Sequence, residues 1–257
     1  AGSYNNIGIA LKHTGDFEGA LENCRKALDI RLRVHGAEHP DTAASHYSLG
    51  QLLSEIGNFD EAVDEYRKAA AIQESVYGRE SPITASSYNN TGAVLYQKQD
   101  YDGALVEYRK GLTILQKALG SNHVEVAAAH NNVGMALYQK NELDEALSSH
   151  KQARQILTYL YDENHPSLAM TLGGIGNALK KQGHLDEALV EYRHANKMLE
   201  TGLGLEHPDI ASSHNNIGLV LASQEKHAEA ILEYQSAQQV FASTIGAGHP
   251  HTGSCHY

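Results

Sequence analysis

Glycine returns every 42 residues along this chain without a slip, at Gly8, Gly50, Gly92, Gly134, Gly176 and Gly218. Alanine keeps the same step at Ala20, Ala62, Ala104, Ala146, Ala188 and Ala230. His39-Pro40, His165-Pro166, His207-Pro208 and His249-Pro250 fall in that register, and Ser81-Pro82 and His123-Val124 fill its other slots. A period of this length, held over six copies, is the mark of a repeat architecture, in which each unit buries its apolar face on the next. Six copies take up 252 of the 257 residues. No insertion breaks the register, so the expectation is one array over 1–257 with no linker and no second domain. The units are expected at about 1–39, 40–81, 82–123, 124–165, 166–207 and 208–249, with the start of a seventh at 250–257. Ala1-Gly2-Ser3-Tyr4 aligns with Ala43-Ala44-Ser45-His46, so both ends read as cut from a longer array.

Each unit reads as two helices. In the third, Ser81 is a capping residue and Pro82 suits the first helical turn, where a missing N–H costs nothing. Tyr88, Thr91, Gly92 and Leu95 then recur at i, i+3, i+4 and i+7, one face of a helix. Lys98-Gln99-Asp100 is a polar turn. Tyr101, Ala104, Leu105, Tyr108, Gly111, Leu112 and Leu115 mark the stripe of a second helix. Gly120 ends it in a place suited to a left-handed cap; Gly36, Gly78, Gly204 and Gly246 match it, and Asp162 replaces it once. Short turns make the paired helices antiparallel. The fold class is therefore all-α, an α-solenoid of about six tandem helix pairs. Gly92 and Ala104 are expected on facing stripes, where small residues let the two backbones approach.

One feature resists this structural reading. YNNIG (4–8), YNNTG (88–92), HNNVG (130–134) and HNNIG (214–218) put two asparagines inside otherwise apolar helices. Asn is a poor helix-interior residue, since its amide competes for backbone hydrogen bonds. If Tyr88, Thr91, Gly92 and Leu95 face the partner helix, Asn89, Asn90, Ala93, Tyr96 and Gln97 lie on the other side. The same slots hold Asn131, Asn132, Met135, Tyr138 and Gln139 in the fourth unit, and Asn215, Asn216, Leu219, Ala222 and Ser223 in the sixth. Amides both donate and accept, so a ladder of them suits an extended peptide backbone. The structural alternative is that the pairs hydrogen-bond along the helix or to the next unit. The ladder breaks at Tyr47-Ser48 and at Gly173-Gly174, which centres the expected site on the third and fourth units.

The large residue Tyr88, then Gly92 and Leu95, then Tyr101, Ala104 and Tyr108 resemble the tetratricopeptide repeat. The 42-residue period and the linkers GAEHPDTAASHYSLG (36–50) and GLEHPDIASSHNNIG (204–218) resemble the kinesin light chain subgroup; nephrocystin-like and bacterial scaffold proteins carry similar repeats. The resemblance implies a concave groove lined by the first helices, with Asn90, Asn132 and Asn216 holding a peptide backbone. Asn89, Asn131, Asn215, Tyr96, Tyr138, Gln97 and Gln139 would shape side-chain pockets. Kinesin light chain grooves are basic and take acidic peptides; here only Lys12, His13, Lys180 and Lys181 add positive charge to the groove slots. That implies a weaker acidic preference or a polar ligand. A kinesin light chain also carries a heptad coiled coil ahead of its repeats, and nothing here reads as one.

Bulk properties narrow the function. Net charge is −11 with acids spread along the chain, which argues against nucleic acid as a partner. No apolar run reaches membrane-spanning length. Cys24 and Cys255 lie at opposite ends, which is no disulfide framework and suits a reducing, cytoplasmic setting. Cys24 sits in the core slot of Tyr66 and Tyr108 and has no catalytic partner pattern. Of the 16 His, the linker ones are about one repeat rise apart, too far to share a zinc, and His46, His130 and His214 occupy core slots. FDEA (59–62) and LDEA (143–146, 185–188) open second helices, where carboxylates favour the positive dipole end. The expectation is a non-catalytic scaffold without metal or cofactor, binding an extended peptide or partner helix as a cargo adaptor does. The alternatives are a spacer that self-associates end to end, or the sensor region of a larger signalling protein.

Overall fold

The computed structural model describes residues 1–162, 165–204 and 207–245. Among them are twelve α-helices and no strand: α1 (Gly2–His13), α2 (Phe17–His35), α3 (Pro40–Glu55), α4 (Phe59–Tyr77), α5 (Pro82–Gln97), α6 (Tyr101–Leu119), α7 (Val124–Gln139), α8 (Leu143–Leu160), α9 (Ala169–Gln182), α10 (Leu185–Leu203), α11 (Pro208–Ser223) and α12 (His227–Ile245). The expected all-α organisation into helix pairs is observed. The residues of the expected seventh unit, with Gly246, His249 and Cys255, lie outside the described ones.

The chain divides into two compact units, one over Ala1–Ala129 and one from His130 onward. In the first, α1 packs on α2, α3 on α4 and α5 on α6, while α2 also packs on α3 and α4 on α5. In the second, α9 packs on α10 and α11 on α12, joined through α8 on α9 and α10 on α11. Within each unit these consecutive helices pack on one another, the packing of a stacked helix-pair array.

The glycine column has a sharper cause than backbone approach. A Cβ added at Gly92 would lie 2.7 Å from Cδ1 of Tyr108, inside contact distance of the ring. Tyr66 covers Gly50 in the same way, Tyr192 covers Gly176 and Tyr234 covers Gly218. His150 covers Gly134, and Cys24 covers Gly8. In most pairs the second helix therefore lays a ring against the first helix at the glycine, and at Gly92, Gly134, Gly176 and Gly218 a larger residue would collide with it. Tyr66, Tyr108 and Tyr192 are buried by this contact, which raises their hydroxyl pKa values through desolvation. Ala104 is fully buried beside the ring, as the pattern required.

The linkers explain the His-Pro steps. His39, His123, His165 and His207 each accept, at Nδ1, a hydrogen bond from the backbone N–H two residues on, at 3.1–3.3 Å. Ser81 does the same with its hydroxyl at 3.3 Å. These histidines cap the first helices, a role that the sequence reading assigned to Ser81 alone. The second helices α2 and α6 are capped by Asp16 and Asp100, which accept from Gly19 N–H and Gly103 N–H at 2.9 and 3.0 Å.

The C-terminal glycines differ from the expected left-handed cap. Gly120 has φ 81° and ψ 166°, and Gly36, Gly78 and Gly204 match it. This extended positive-φ region is essentially closed to other residues. Where Asp162 takes the slot, α8 stops at Leu160 and its cap, Tyr161, is extended at negative φ. The next pair then opens with a 3₁₀ turn, Pro166–Leu168, before α9.

The ring-on-glycine contact predicts that Gly92→Ala destabilises the first unit by about 1–3 kcal/mol, although Ala favours a helix by about 1 kcal/mol over Gly. Urea unfolding of Gly92→Ala, Tyr108→Ala and the double variant measures it. The cost of Gly92→Ala disappears once the Tyr108 ring is gone; additive costs would show that the ring is not its cause.

Candidate functional site

The outward stripe of a first helix is read directly from burial. On α5, Ile83, Ser86, Asn90, Ala93 and Gln97 are exposed or half-buried, while Thr84, Ala85, Ser87, Thr91, Gly92, Val94 and Leu95 are buried. On α11 the same steps carry Ser212, Asn216, Leu219 and Ser223. Gln97 and Gln139 are exposed, and Tyr96 and Tyr138 half-buried.

The two asparagines of each pair part company. Asn89 lies over Gly111 of α6, in a space that a Cβ there would occupy, and its buried Oδ1 has no hydrogen-bond partner among the described residues. Asn131 is 2% exposed; its Nδ2 donates to Thr171 Oγ1 at 2.8 Å, and its Oδ1 lies 2.9 Å from His150 Nδ1. The expectation that both members face a groove therefore fails for Asn131, which is spent inside the second unit. A helix turns about 100° per residue, so the position preceding the stripe falls on the edge packed against the second helix. Asn215 is half-buried in that same slot.

The second asparagines stay outside. Asn90 is half-buried and donates to the hydroxyl of Tyr47, a residue of α3. Ser54 Oγ reaches Gln97 Oε1 at 3.5 Å between the same two helices. Asn132 and Asn216 are half-buried, and neither amide has a hydrogen-bond partner among the described residues.

Two further features, one in each unit, add to the sequence reading, which named Lys180 and Lys181 only as groove charges. In the first unit, an open pocket of about 340 Å³ is lined by Pro40, Ala44, Tyr47, Tyr77, Ile83 and Ser86, beside Asn90's partner Tyr47. Tyr77 and Ile83 are 45% and 48% exposed, large apolar groups that the core pattern did not claim. In the second unit, Lys181 Nζ sits 4.7 Å from the centre of the Tyr138 ring, and Lys180 Nζ 5.9 Å from that of Tyr192. Desolvation pulls the Lys180 pKa down. Neither lysine has a carboxylate partner among the described residues, whereas Lys12, Lys26, Lys68, Lys98, Lys110 and Lys117 all do.

One cluster joins metal-ligating side chains: His35, His39 and Asp41, whose donor atoms lie within 4.8 Å of one another. It is local to one linker, an arrangement that the spacing between repeats could not reveal.

Tetratricopeptide repeat models match residues 1–75, 57–117, 83–158, 125–201 and 174–245. The chain belongs to the tetratricopeptide repeat family. Its fold is similar to that of BtubC (BKLC) from P. vanneervenii, at 19% identity and a TM-score of 0.77, over 91% of this chain and 94% of that one. It is also similar to a putative kinesin light chain from Podosopora anserina with nearly identical repeats, at 21% identity and a TM-score of 0.68, over 81% and 99%. A third neighbour is YrrB, described as a tetratricopeptide protein with an unusual peptide-binding site, at 20% identity and a TM-score of 0.54, over 86% and 95%. No curated protein matches the chain in sequence. The kinesin-light-chain-like resemblance is thus met in the structural neighbours, and the fold is that of a protein–protein interaction scaffold. Among the described residues no helix is long and apolar enough to cross a membrane.

The Asn131 network carries a pH signature. His150 is buried, and desolvation brings its pKa down to about 4 from 6.5. A depressed histidine is neutral in the folded state, so the stability that it protects is present above about 6.5 and is lost as pH falls towards 4. The shift corresponds to something on the order of 3 kcal/mol. Urea midpoints across that range measure it. In His150→Tyr, the residue type of four other repeats, the acid limb flattens by about one proton; an unchanged slope would assign the limb to other groups.

Proposed function

We propose that the chain is a non-catalytic scaffold that binds an extended peptide on the outward stripes of its first helices. The observation that carries this reading is the pair of uncommitted amides, Asn132 and Asn216, held half-buried on α7 and α11. An amide kept out of water's full reach without a protein partner is suited to a backbone that supplies one donor and one acceptor per residue. In the first unit, Asn90 would do the same by exchanging Tyr47 for a ligand. Tyr96, Gln97, Tyr138, Gln139 and Asn215 would border the ligand. Asn89 would do so only from the edge of its hairpin, and Asn131 contributes through the rigidity of α7.

Ligand chemistry is set by the surroundings of each stripe. Lys180 and Lys181 favour an acidic residue beside the second unit's amides, more strongly than groove charge alone implied. The apolar pocket by Tyr47 and Tyr77 suits a large side chain in the first unit. A cargo-adaptor role fits the likeness to kinesin light chain repeats, and a cytoplasmic setting fits the sparse cysteines. End-to-end association is a second reading, for which Ile7 of α1, 46% exposed, is the position to test.

The chain has no Trp, so a Trp-bearing peptide reports its own burial by emission. An acidic Trp peptide is expected to bind saturably with a blue shift, and a neutral control to bind less tightly. Asn132→Ala with Asn216→Ala weakens binding at least tenfold at unchanged helicity, while Lys180→Gln with Lys181→Gln removes the acidic preference. Full binding by the asparagine double variant would overturn the reading. Sedimentation that depends on protein concentration and is abolished by Ile7→Glu would favour association instead.

A further inference from the structure

We propose that His35, His39 and Asp41 form a binding site for a borderline divalent cation such as Zn²⁺ or Ni²⁺ at the linker between α2 and α3. His35 ends α2, His39 caps α3 and Asp41 lies in its first turn. His35 Nε2 stands 3.6 Å from Asp41 Oδ2, and His39 Nδ1 stands 3.9 Å from the same oxygen. The two imidazoles stack at 4.2 Å between centroids and 17° between planes.

The repeat itself separates this cluster from ordinary linker structure. The capping role needs only the residue at the His39 position, which is also histidine at 123, 165 and 207. Stacking needs only an aromatic ring before it: Tyr161 on His165 stacks at 4.0 Å and 11°. The corresponding residues of the other linkers are Tyr77 with Ile83, Leu119 with Glu125, Tyr161 with Ser167 and Leu203 with Asp209. This linker alone combines two imidazoles and a carboxylate, and neither capping nor stacking calls for the nitrogens of His35.

Imidazole and carboxylate donors bind such cations at roughly 2.0–2.2 Å, which sets donor atoms about 3 Å apart. The side chains involved are exposed or half-buried, so the remaining gap, at most about 2 Å, is closed by rotamer adjustment. Two imidazoles select zinc, nickel or copper over calcium and magnesium. Arg31 leaves the carboxylate available, since its guanidinium bonds the Asp41 backbone carbonyl at 3.1 Å and the Ser45 hydroxyl at 2.7 Å. Coordination through His39 Nδ1 gives up the cap bond from Asp41 N–H, which is exposed and turns to water. The bound ion clamps the end of α2 to the start of α3, so it stabilises the junction between the first two helix pairs.

Zn²⁺ and Ni²⁺ are titrated by calorimetry into the full chain, free of any polyhistidine tag. The native protein is expected to bind one ion per chain and to melt at a higher temperature with it. His35→Tyr and Asp41→Ser copy residues that Tyr161 and Ser167 already supply at these positions. Each is expected to weaken binding at least tenfold and to abolish the thermal shift, with an unchanged melt in EDTA. His184→Gln, which removes an exposed imidazole elsewhere, leaves both readouts unaltered. The absence of a discrete site, or a site that persists in both His35→Tyr and Asp41→Ser, overturns the proposal. Should either variant fold poorly, the visible band of Co²⁺ bound to the native chain decides: imidazole coordination supports the site, and a spectrum of free aqueous ion overturns it.

Discussion

The contact of an aromatic ring on a bare stretch of backbone sets the geometry of most of the helix pairs. The ring comes from the second helix, the bare stretch is the glycine of the first, and the small alanine at the start of the second helix keeps the pair close. Glycine in a helix costs about 1 kcal/mol against alanine, but an aromatic side chain buries 150–250 Å² and more than offsets it. The exceptions are informative. Cys24 and His150 replace the ring at two pairs, and each makes a different contact there. Cys24 is merely buried, which raises its thiol pKa by desolvation. His150 adds a hydrogen bond and, because Gly174 approaches it from α9, ties that helix to the pair before it.

Once the pair is fixed, adjacent pairs need only a repeated fit. Polar links recur at constant sequence offsets: Lys98 to Asp60, Gln182 to Asp144 at 2.7 Å and Gln224 to Asp186 at 2.8 Å all span 38 residues. They sit at the surface, where such contacts contribute at most about 1 kcal/mol each, so they set register more than stability. Cohesion comes from buried apolar positions such as Leu53, Val94, Leu172 and Ile210. Among the described residues the buried carboxylates, Glu65 and Glu107, are both paired. Burial alone would raise the Glu65 pKa, yet hydrogen bonds from His46 and Lys68 bring it below the ordinary carboxylate value.

Much of this was legible because a repeat presents the same experiment six times. Period, helix pairing and the small-residue columns follow from spacing, and the helix limits fall close to where the caps place them. What was not legible depends on atoms rather than on residue type. Glycine was expected to face alanine, whereas it faces a ring four residues further along. The linker histidines are not expected to share a metal and draw no role from sequence, yet they are caps through one nitrogen. The Asn pair reads as two equivalent amides. A rotation of one residue sends Asn131 inward to Thr171 and His150 and leaves Asn132 outside. No periodicity argument resolves 100° of rotation when the buried arc of the helix is itself uncertain by as much.

That division answers why helices would tolerate two asparagines in succession. An Asn facing inward is stable only if both ends of its amide are satisfied, as at Asn131. At Asn89 the Oδ1 goes without a partner, because the ring there is Tyr108, whose edge offers carbon where His150 offers Nδ1–H. The inner Asn is therefore a structural residue whose quality varies from pair to pair. The outer Asn is free of that constraint: Asn90 finds Tyr47, and Asn132 and Asn216 find no hydrogen-bond partner among the described residues. Selection for folding accounts for the inner position of a pair whose partner group is present, and has no purchase on the outer one. On the proposed reading a binding partner that presents backbone amides does, and the outer asparagines, rather than the pairs as such, would line its face.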